Sequence, residues 1–174
     1  LTLGVTHFVN ESRRYMADVG YYDFKDGNSR ETLTTTWVER VHGAPRHTID
    51  VHSAAYTSSN TRAGAEYFNP TRDYALSVMV VSDWLTWHDY DRRFNQRVAA
   101  SLGSYRQQSA AEPLDSDRRD IDHGWKAFGE LRYEHEWKAS DELSARYGIG
   151  VRRFPYDGDH ETRAYLYGAL SIYF

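Results

Sequence analysis

The chain has 174 residues, a formal net charge of -4 and no cysteine, with 15% aromatic residues and a mean hydropathy of -0.74. No apolar run approaches the about 20 residues of a transmembrane helix, no basic footprint marks a nucleic-acid partner, and disulfide frameworks and thiolate sites are excluded. The aromatic content argues against disorder. A chain that is polar on average yet rich in Tyr and Trp fits one membrane class. That class is the antiparallel β-barrel, whose strands alternate apolar and polar residues so that averages conceal them. The sequence opens on Leu1, and no charged n-region or cleavage site precedes Val9, so it reads as a mature chain or a cut fragment.

Period-two alternation broken by turn residues sets the elements. Residues 1–9 are a possible additional strand. Strands follow at about 15–24, 30–42, 46–58, 73–88 and 91–107. In 73–88 the alternation is mixed, because Met79, Val81 and Leu85 share a parity with Asp83 and Trp87. The next segment sets Trp125, Ala127, Gly129, Leu131, Tyr133, His135 and Trp137 against Lys126, Phe128, Glu130, Arg132, Glu134 and Glu136. Then come Leu143, Ala145, Tyr147, Ile149 and Val151 against Ser144, Arg146, Gly148, Gly150 and Arg152. The last strand sets Ala164, Leu166, Gly168, Leu170, Ile172 and Phe174 against Arg163, Tyr165, Tyr167, Ala169, Ser171 and Tyr173. A helical period of about 3.6 would smear such patterns. Pro45, Pro70, Pro113 and Pro155 fall in turns or at strand ends, where the missing N–H costs no ladder bond.

The connections alternate in length. Residues 10–13, 42–46, 88–91 and 139–141 are short, and 25–29, 59–72, 108–121 and 157–160 are longer, as periplasmic turns and external loops are. Trp37, Trp84, Trp87 and Trp137 lie near short turns and Trp125 near a long loop, as interfacial girdles require. The predicted fold is an all-β, up-and-down transmembrane barrel in the bacterial outer membrane, surrounded by lipid. Eight strands could close alone; a ninth would leave the ends on opposite sides and make the chain the C-terminal portion of a larger barrel.

Leu166, Gly168, Leu170, Ile172 and Phe174 resemble the terminal signal of outer-membrane proteins, which the barrel-assembly machinery reads as an unpaired edge strand. Three further segments carry a wider resemblance: Gly64 to Asp73 with its Tyr67-Phe68-Asn69-Pro70 tract, Tyr90 to Val98, and Arg153 to Glu161 with Pro155-Tyr156-Asp157-Gly158-Asp159. With Asp23 to Asn28 they resemble the C-terminal porin domain of the poly-N-acetylglucosamine export family. The resemblance implies a barrel of about sixteen strands, within the even-numbered range of such proteins. It implies a preceding superhelix of tetratricopeptide repeats, absent from this sequence, and export of partly deacetylated poly-β-1,6-N-acetylglucosamine for biofilm, without cofactor or catalysis.

A lumen for such a polymer needs carboxylates for protonated amines and aromatic faces for pyranose rings. The inward acids are predicted as Asp18, Asp50, Asp83, Glu130, Glu134 and Glu136. The inward aromatics are Tyr22, Tyr56, Trp87, Tyr105 and Phe128, with Tyr165 and Tyr167. Arg93, Arg97, Arg132, Arg146 and Arg152 share that face, so a register-setting charge ladder is the alternative role for each acid. Tyr67, Phe68, Asn69, Pro70 and Arg72 suggest an inward-folded constriction loop, or a plain Asn-Pro turn. Asp157, Asp159 and Glu161 could hold a cation or form an ordinary polar loop. The eight histidines show no zinc spacing. Two other functions compete: a small closed eight-stranded anchor or adhesin, and a lipid-modifying barrel enzyme built around His135 with Glu134 or Ser144.

Overall fold

The computed structural model describes residues 1–62, 69–109, 121–156 and 159–172. They form nine antiparallel strands in chain order: β1 (Thr2–Asn10), β2 (Arg13–Asp23), β3 (Ser29–Ala44), β4 (His47–Asn60), β5 (Arg72–Asp89), β6 (Arg92–Ser109), β7 (Ile121–Lys138), β8 (Leu143–Tyr156) and β9 (Asp159–Ile172). Each strand pairs with its sequence neighbour, giving one sheet of order β1 to β9. Residues 1–9 are therefore a strand. Among the described residues no β2–β9 or β1–β9 pairing closes the sheet. An eight-stranded closure is not formed, and β1 and β9 are both edges. With nine alternating directions, both edge strands run from the long-loop side to the short-turn side.

Burial is inverted relative to a water-soluble sheet. The polar face is shielded: Asp73 is 2% exposed and Glu134 5%, with Ser58 and Gln107 also buried. Leu3, Val5, Leu76, Val78, Leu102, Leu131, Ile149, Leu166 and Leu170 stand exposed on the other face, Leu166 at 78%. Registers carry this division from strand to strand: Leu102 opposes Gly129, Leu131 opposes Val151, and Ile149 opposes Leu166. A contiguous apolar surface this wide has to be covered, and hydrocarbon covers it in a barrel with charged residues inside.

Aromatic contacts bound the apolar belt on the short-turn side. Tyr15 stacks on Trp37 at 6.0 Å, His47 on Trp84 at 5.0 Å, and Trp87 on Trp137 at 6.1 Å, with Phe94 edge-on to Trp137 at 5.5 Å. Trp125 marks the other side on β7. From Trp125 to Trp137 the strand advances about 41 Å at about 3.4 Å per residue. A tilt of about 40° reduces that to about 31 Å, close to the hydrocarbon thickness of about 30 Å. Antiparallel barrels with this girdle and loop asymmetry belong to the bacterial outer membrane.

One expectation fails on register. Trp87 is not on the charged face. A bulge between Leu85 and Trp87 inserts Thr86, so Trp87 opposes Phe94 on the lipid side. A single extra residue inverts every side chain after it. This also resolves the mixed alternation of β5: Asp73, Ala75, Ser77, Met79, Val81, Asp83 and Leu85 share the inward face, and the outward series runs through Leu76, Val78, Val80 and Trp84 before the shift.

Candidate functional site

The inward face has two dissimilar walls. Across the middle of β3 to β5 it is lined mainly by small hydroxyl and methyl groups, with charged residues towards both ends. Thr32 pairs with Ser58, Thr34 with Tyr56 and Thr36 with Ala54 across β3 and β4, and Ala54 opposes Ser77. β-Branched threonine suits a strand and leaves the hydroxyl available to the lumen. On β5 to β9 the wall is charged and aromatic.

The charged wall is organised by straight rows of cross-strand partners. One row runs Asp83, Arg97, Glu134, Gly148, Tyr167 over five strands. Arg97 bridges its acids: Nη2 lies 2.5 Å from Asp83 Oδ2 and Nη1 2.9 Å from Glu134 Oε1. The Tyr167 hydroxyl crosses Gly148 to donate to Glu134 Oε2 at 2.5 Å. Glu136 accepts from Arg146 at 2.9 Å and from Arg93 at 3.5 Å. One strand-pair higher, the Tyr165 hydroxyl crosses Gly150 to reach Glu130 Oε1 at 2.5 Å, and Arg132 lies 3.9 Å from the same oxygen.

Glycine is required where the tyrosines cross. A Cβ on Gly148 would sit 2.5 Å from the Tyr133 carbonyl oxygen and 2.8 Å from Tyr167 Oη. A Cβ on Gly150 would sit 2.5 Å from Tyr165 Oη and closer still to its Cζ.

The predicted acids all lie on the inward face, and most are compensated. Asp83 and Glu134 share Arg97, Glu136 has Arg93 and Arg146, and Asp50 takes a bidentate pair from Arg40 at 2.8 and 3.2 Å. Asp18 is exposed on β2 and makes no ion pair among the described residues. The ladder geometry therefore accounts for Asp50, Asp83, Glu134 and Glu136. Such pairs fix register and orient the wall and leave little unbalanced negative charge.

A second network was not visible in the sequence. Asp73 accepts from Ser58 Oγ and, at 2.9 Å, from Tyr105 Oη. Arg30 lies 3.5 Å from Asp73 and donates to Tyr56 Oη and Ser58 Oγ, each at 3.0 Å. Asp73 was hidden at a loop edge, with Arg30 far away in sequence. Tyr56 and Tyr105 are inward as expected, but Tyr105 is buried and Phe154 covers it, centroids 5.0 Å apart. Phe154 also packs on Phe128 at 5.0 Å, with the Arg152 guanidinium 6.0 Å over its ring. Tyr165 and Tyr167 continue the aromatic surface at 6.0 Å from one another. The open aromatic stripe is therefore Phe128, Phe154, Tyr165 and Tyr167. Phe154 is absent from the predicted set because the predicted alternation of its strand stops at Arg152. Tyr22 stands apart at the rim, opposite Arg30.

At the long-loop end, fully buried Asn28 ties two connections together. Its Nδ2 donates to Asn69 Oδ1 at 3.0 Å and to Asn60 Oδ1 at 3.4 Å, and its Oδ1 accepts from the Arg62 N–H at 3.0 Å. Asn69 and Pro70, two of the five residues of the expected constriction motif, are thus pinned to the rim. Tyr67 and Phe68 lie outside the described residues. Arg72 begins β5, exposed. Glu161 pairs with Arg163 at 2.7 Å. Asp157 lies outside the described residues, and among those described no three acids or histidines converge on a metal position. Leu166, Gly168, Leu170 and Ile172 share the lipid face of β9, while Phe174 lies outside the described residues.

The constellation suggested for an enzyme does not assemble. His135 faces lipid between the Tyr133 and Tyr147 hydroxyls at 2.7 and 3.0 Å, whereas Glu134 and Ser144 face inward. A hollow of about 820 Å³ between Trp37, Val78 and Leu102 lies on the lipid side and is apolar, so it is unsuited to a hydrated polymer.

No curated protein matches the chain. A solved structure described as "Bacterial polysaccharide outer membrane secretin" superposes with a TM-score of 0.86 at 22% sequence identity, covering 99% of this chain and 55% of that one. The chain thus spans about half the length of that neighbour, and the likeness establishes the fold. The model of the PgaA membrane beta barrel domain matches residues 1–174, and the chain belongs to that family.

Proposed function

We propose that this chain forms part of the wall of an outer-membrane channel that exports poly-β-1,6-N-acetylglucosamine, partly deacetylated, for biofilm. The observation that carries the reading is the half-buried aromatic stripe Phe128–Phe154–Tyr165–Tyr167, set among charge-compensated rows and facing a wall of hydroxyls. Pyranose rings present apolar C–H faces that stack on aromatic rings. Compensated charges and hydroxyls supply exchangeable hydrogen bonds without trapping the chain on one fixed charge. Family membership supports the reading, as does the neighbour's description as a polysaccharide secretin. Both edge strands run in the same direction, so antiparallel closure needs an odd number of further strands. About seven would give a sixteen-stranded barrel wide enough for an aqueous channel. On the same reading the apolar belt takes outer-membrane lipid, β9 is what the barrel-assembly machinery engages, and the chain performs no catalysis.

The test is single-channel recording of the full protein in planar bilayers with poly-N-acetylglucosamine oligomers. Wild type should show transient current blocks. Phe128→Ala with Phe154→Ala should shorten them about tenfold, at about 0.5–1.5 kcal/mol per aromatic contact, with open conductance preserved. Absence of any block in wild type would contradict the proposal.

A further inference from the structure

At the short-turn mouth of the lumen lies a partly enclosed hollow of about 350 Å³, formed by β6 to β9 and the β7–β8 turn. Its floor is small: Ala169, Ser171 and Ser144 leave room where neighbouring rows carry tyrosine. Its walls are Arg93, Arg146 and Lys138, with Glu136 and Asp141. Both acids are already engaged. Glu136 accepts from Arg146 and Arg93, and Asp141 lies 2.5 Å from Lys138 Nζ. Arg146 Nε also lies 3.7 Å from Glu134 Oε1 behind the hollow, so the cations and acids are balanced and no carboxylate is left unpaired. Ser144 and Ser171 oppose one another in register, and among the described residues neither hydroxyl meets a hydrogen-bond partner. Arg93 meets Glu136 through Nη2 at 3.5 Å, and among the described residues its other N–H groups meet no acceptor. The hollow is near the lower end of the range of small-ligand sites, about 300–1,000 Å³.

We propose that this hollow is an entry subsite for one neutral, N-acylated hexose unit of the exported polymer. The inference rests on the polysaccharide-export reading above. Free serine hydroxyls suit ring hydroxyls, and the free Arg93 N–H groups suit an amide carbonyl. Because Glu136 and Asp141 already hold cations, the hollow has donors to spare but no free carboxylate for a protonated amine. The subsite therefore selects acetylated units at the periplasmic entrance, although the lumen beyond must also pass deacetylated ones.

Current block in the full protein, with fully acetylated or fully deacetylated β-1,6-glucosamine pentamers added on the short-turn side, tests this. The acetylated pentamer should bind at least tenfold more tightly. Ala169→Phe, which fills the floor, should weaken it at least tenfold, and the milder pair Ser144→Ala with Ser171→Ala about fivefold. None of these changes should alter block from the long-loop side. Block from the short-turn side that prefers the deacetylated pentamer, or that is unchanged in both variants, overturns the subsite and leaves the export reading standing. No block by either pentamer from either side overturns both.

Discussion

The tyrosine crossings make a discriminating prediction, because two glycines in equivalent settings differ in what an added methyl meets. At Gly150 the obstacle is the end of the Tyr165 side chain, which can lift away. The cost is the Tyr165–Glu130 hydrogen bond. A bond to a charged acceptor contributes about 1.5–3 kcal/mol, and Glu130 keeps 26% of its side chain in water, so Gly150→Ala should cost about 1–2 kcal/mol. At Gly148 the methyl meets the Tyr133 carbonyl oxygen at 2.5 Å as well as Tyr167. The backbone cannot lift away, so β7 and β8 must separate locally, as overpacking does at about 1–3 kcal/mol. The Tyr167–Glu134 bond is lost too, and Glu134 exposes only 7% of its side chain, so it contributes near the top of the range. Gly148→Ala should cost about 3–6 kcal/mol. Reversible urea unfolding of the full protein in lipid vesicles measures both. Equal costs, or a larger cost at Gly150, would refute the crossing geometry.

Three further outcomes follow from the rows and rims. Arg97→Gln leaves Asp83 without its cation and Glu134 with only Arg146, 3.7 Å away. A fully buried break costs about 3–5 kcal/mol; Arg97 is 30% exposed, so about 2 kcal/mol is expected, and adding Glu134→Gln should recover part of it in an unfolding cycle. Asn28→Ala removes the link between two outer connections, and should destabilise by about 2–4 kcal/mol and speed hydrogen exchange at the Arg62 amide, whose acceptor is Asn28 Oδ1. Outside the belt, beyond Trp125, Arg106 bonds Asp122, and the Gly124 N–H donates to the same carboxylate at 2.9 Å. Together these lower the Asp122 pKa from 3.8 to about 2. Because the folded value is depressed, this small stabilisation is complete above pH about 4 and is lost as pH falls through about 2. Carboxyl NMR titration of Arg106→Gln should move the midpoint up towards 3.8.

Much of the fold was legible because lipid and lumen impose opposite demands on adjacent residues. From Trp125 on, β7 to β9 alternate without interruption, and their registers follow the predicted faces. β5 was ambiguous for two physical reasons. Its inward face carries Ala75, Met79 and Val81, so polarity did not separate the faces, and a bulge at Thr86 inverted its end. That bulge moved Trp87 from the predicted lumen to the girdle. The inward acids were found by parity alone, but parity does not show partners. That Arg97 serves two acids, or that Arg40 holds Asp50, depends on stagger between strands. The Asp73 network spans Arg30 to Tyr105, 75 positions apart in the sequence, and has no local signature. Phe154 was legible in principle, since it continues the parity of Arg152, but the Pro155-Tyr156-Asp157-Gly158 turn chemistry drew the strand end too early.

The central claim is that one face of this sheet meets lipid and the other meets a sugar polymer. The absence of native cysteine in residues 1–174 allows that to be tested on neighbouring positions of β6. Ser101 opposes Met79 and Glu130 on the inward face, and Leu102 is 76% exposed on the belt. In the full protein in membranes, Ser101→Cys should react with a water-soluble thiol reagent at least tenfold faster than Leu102→Cys, and poly-N-acetylglucosamine should slow it. Equal labelling at the two positions, or labelling of Ser101→Cys indifferent to the polymer, would contradict the account.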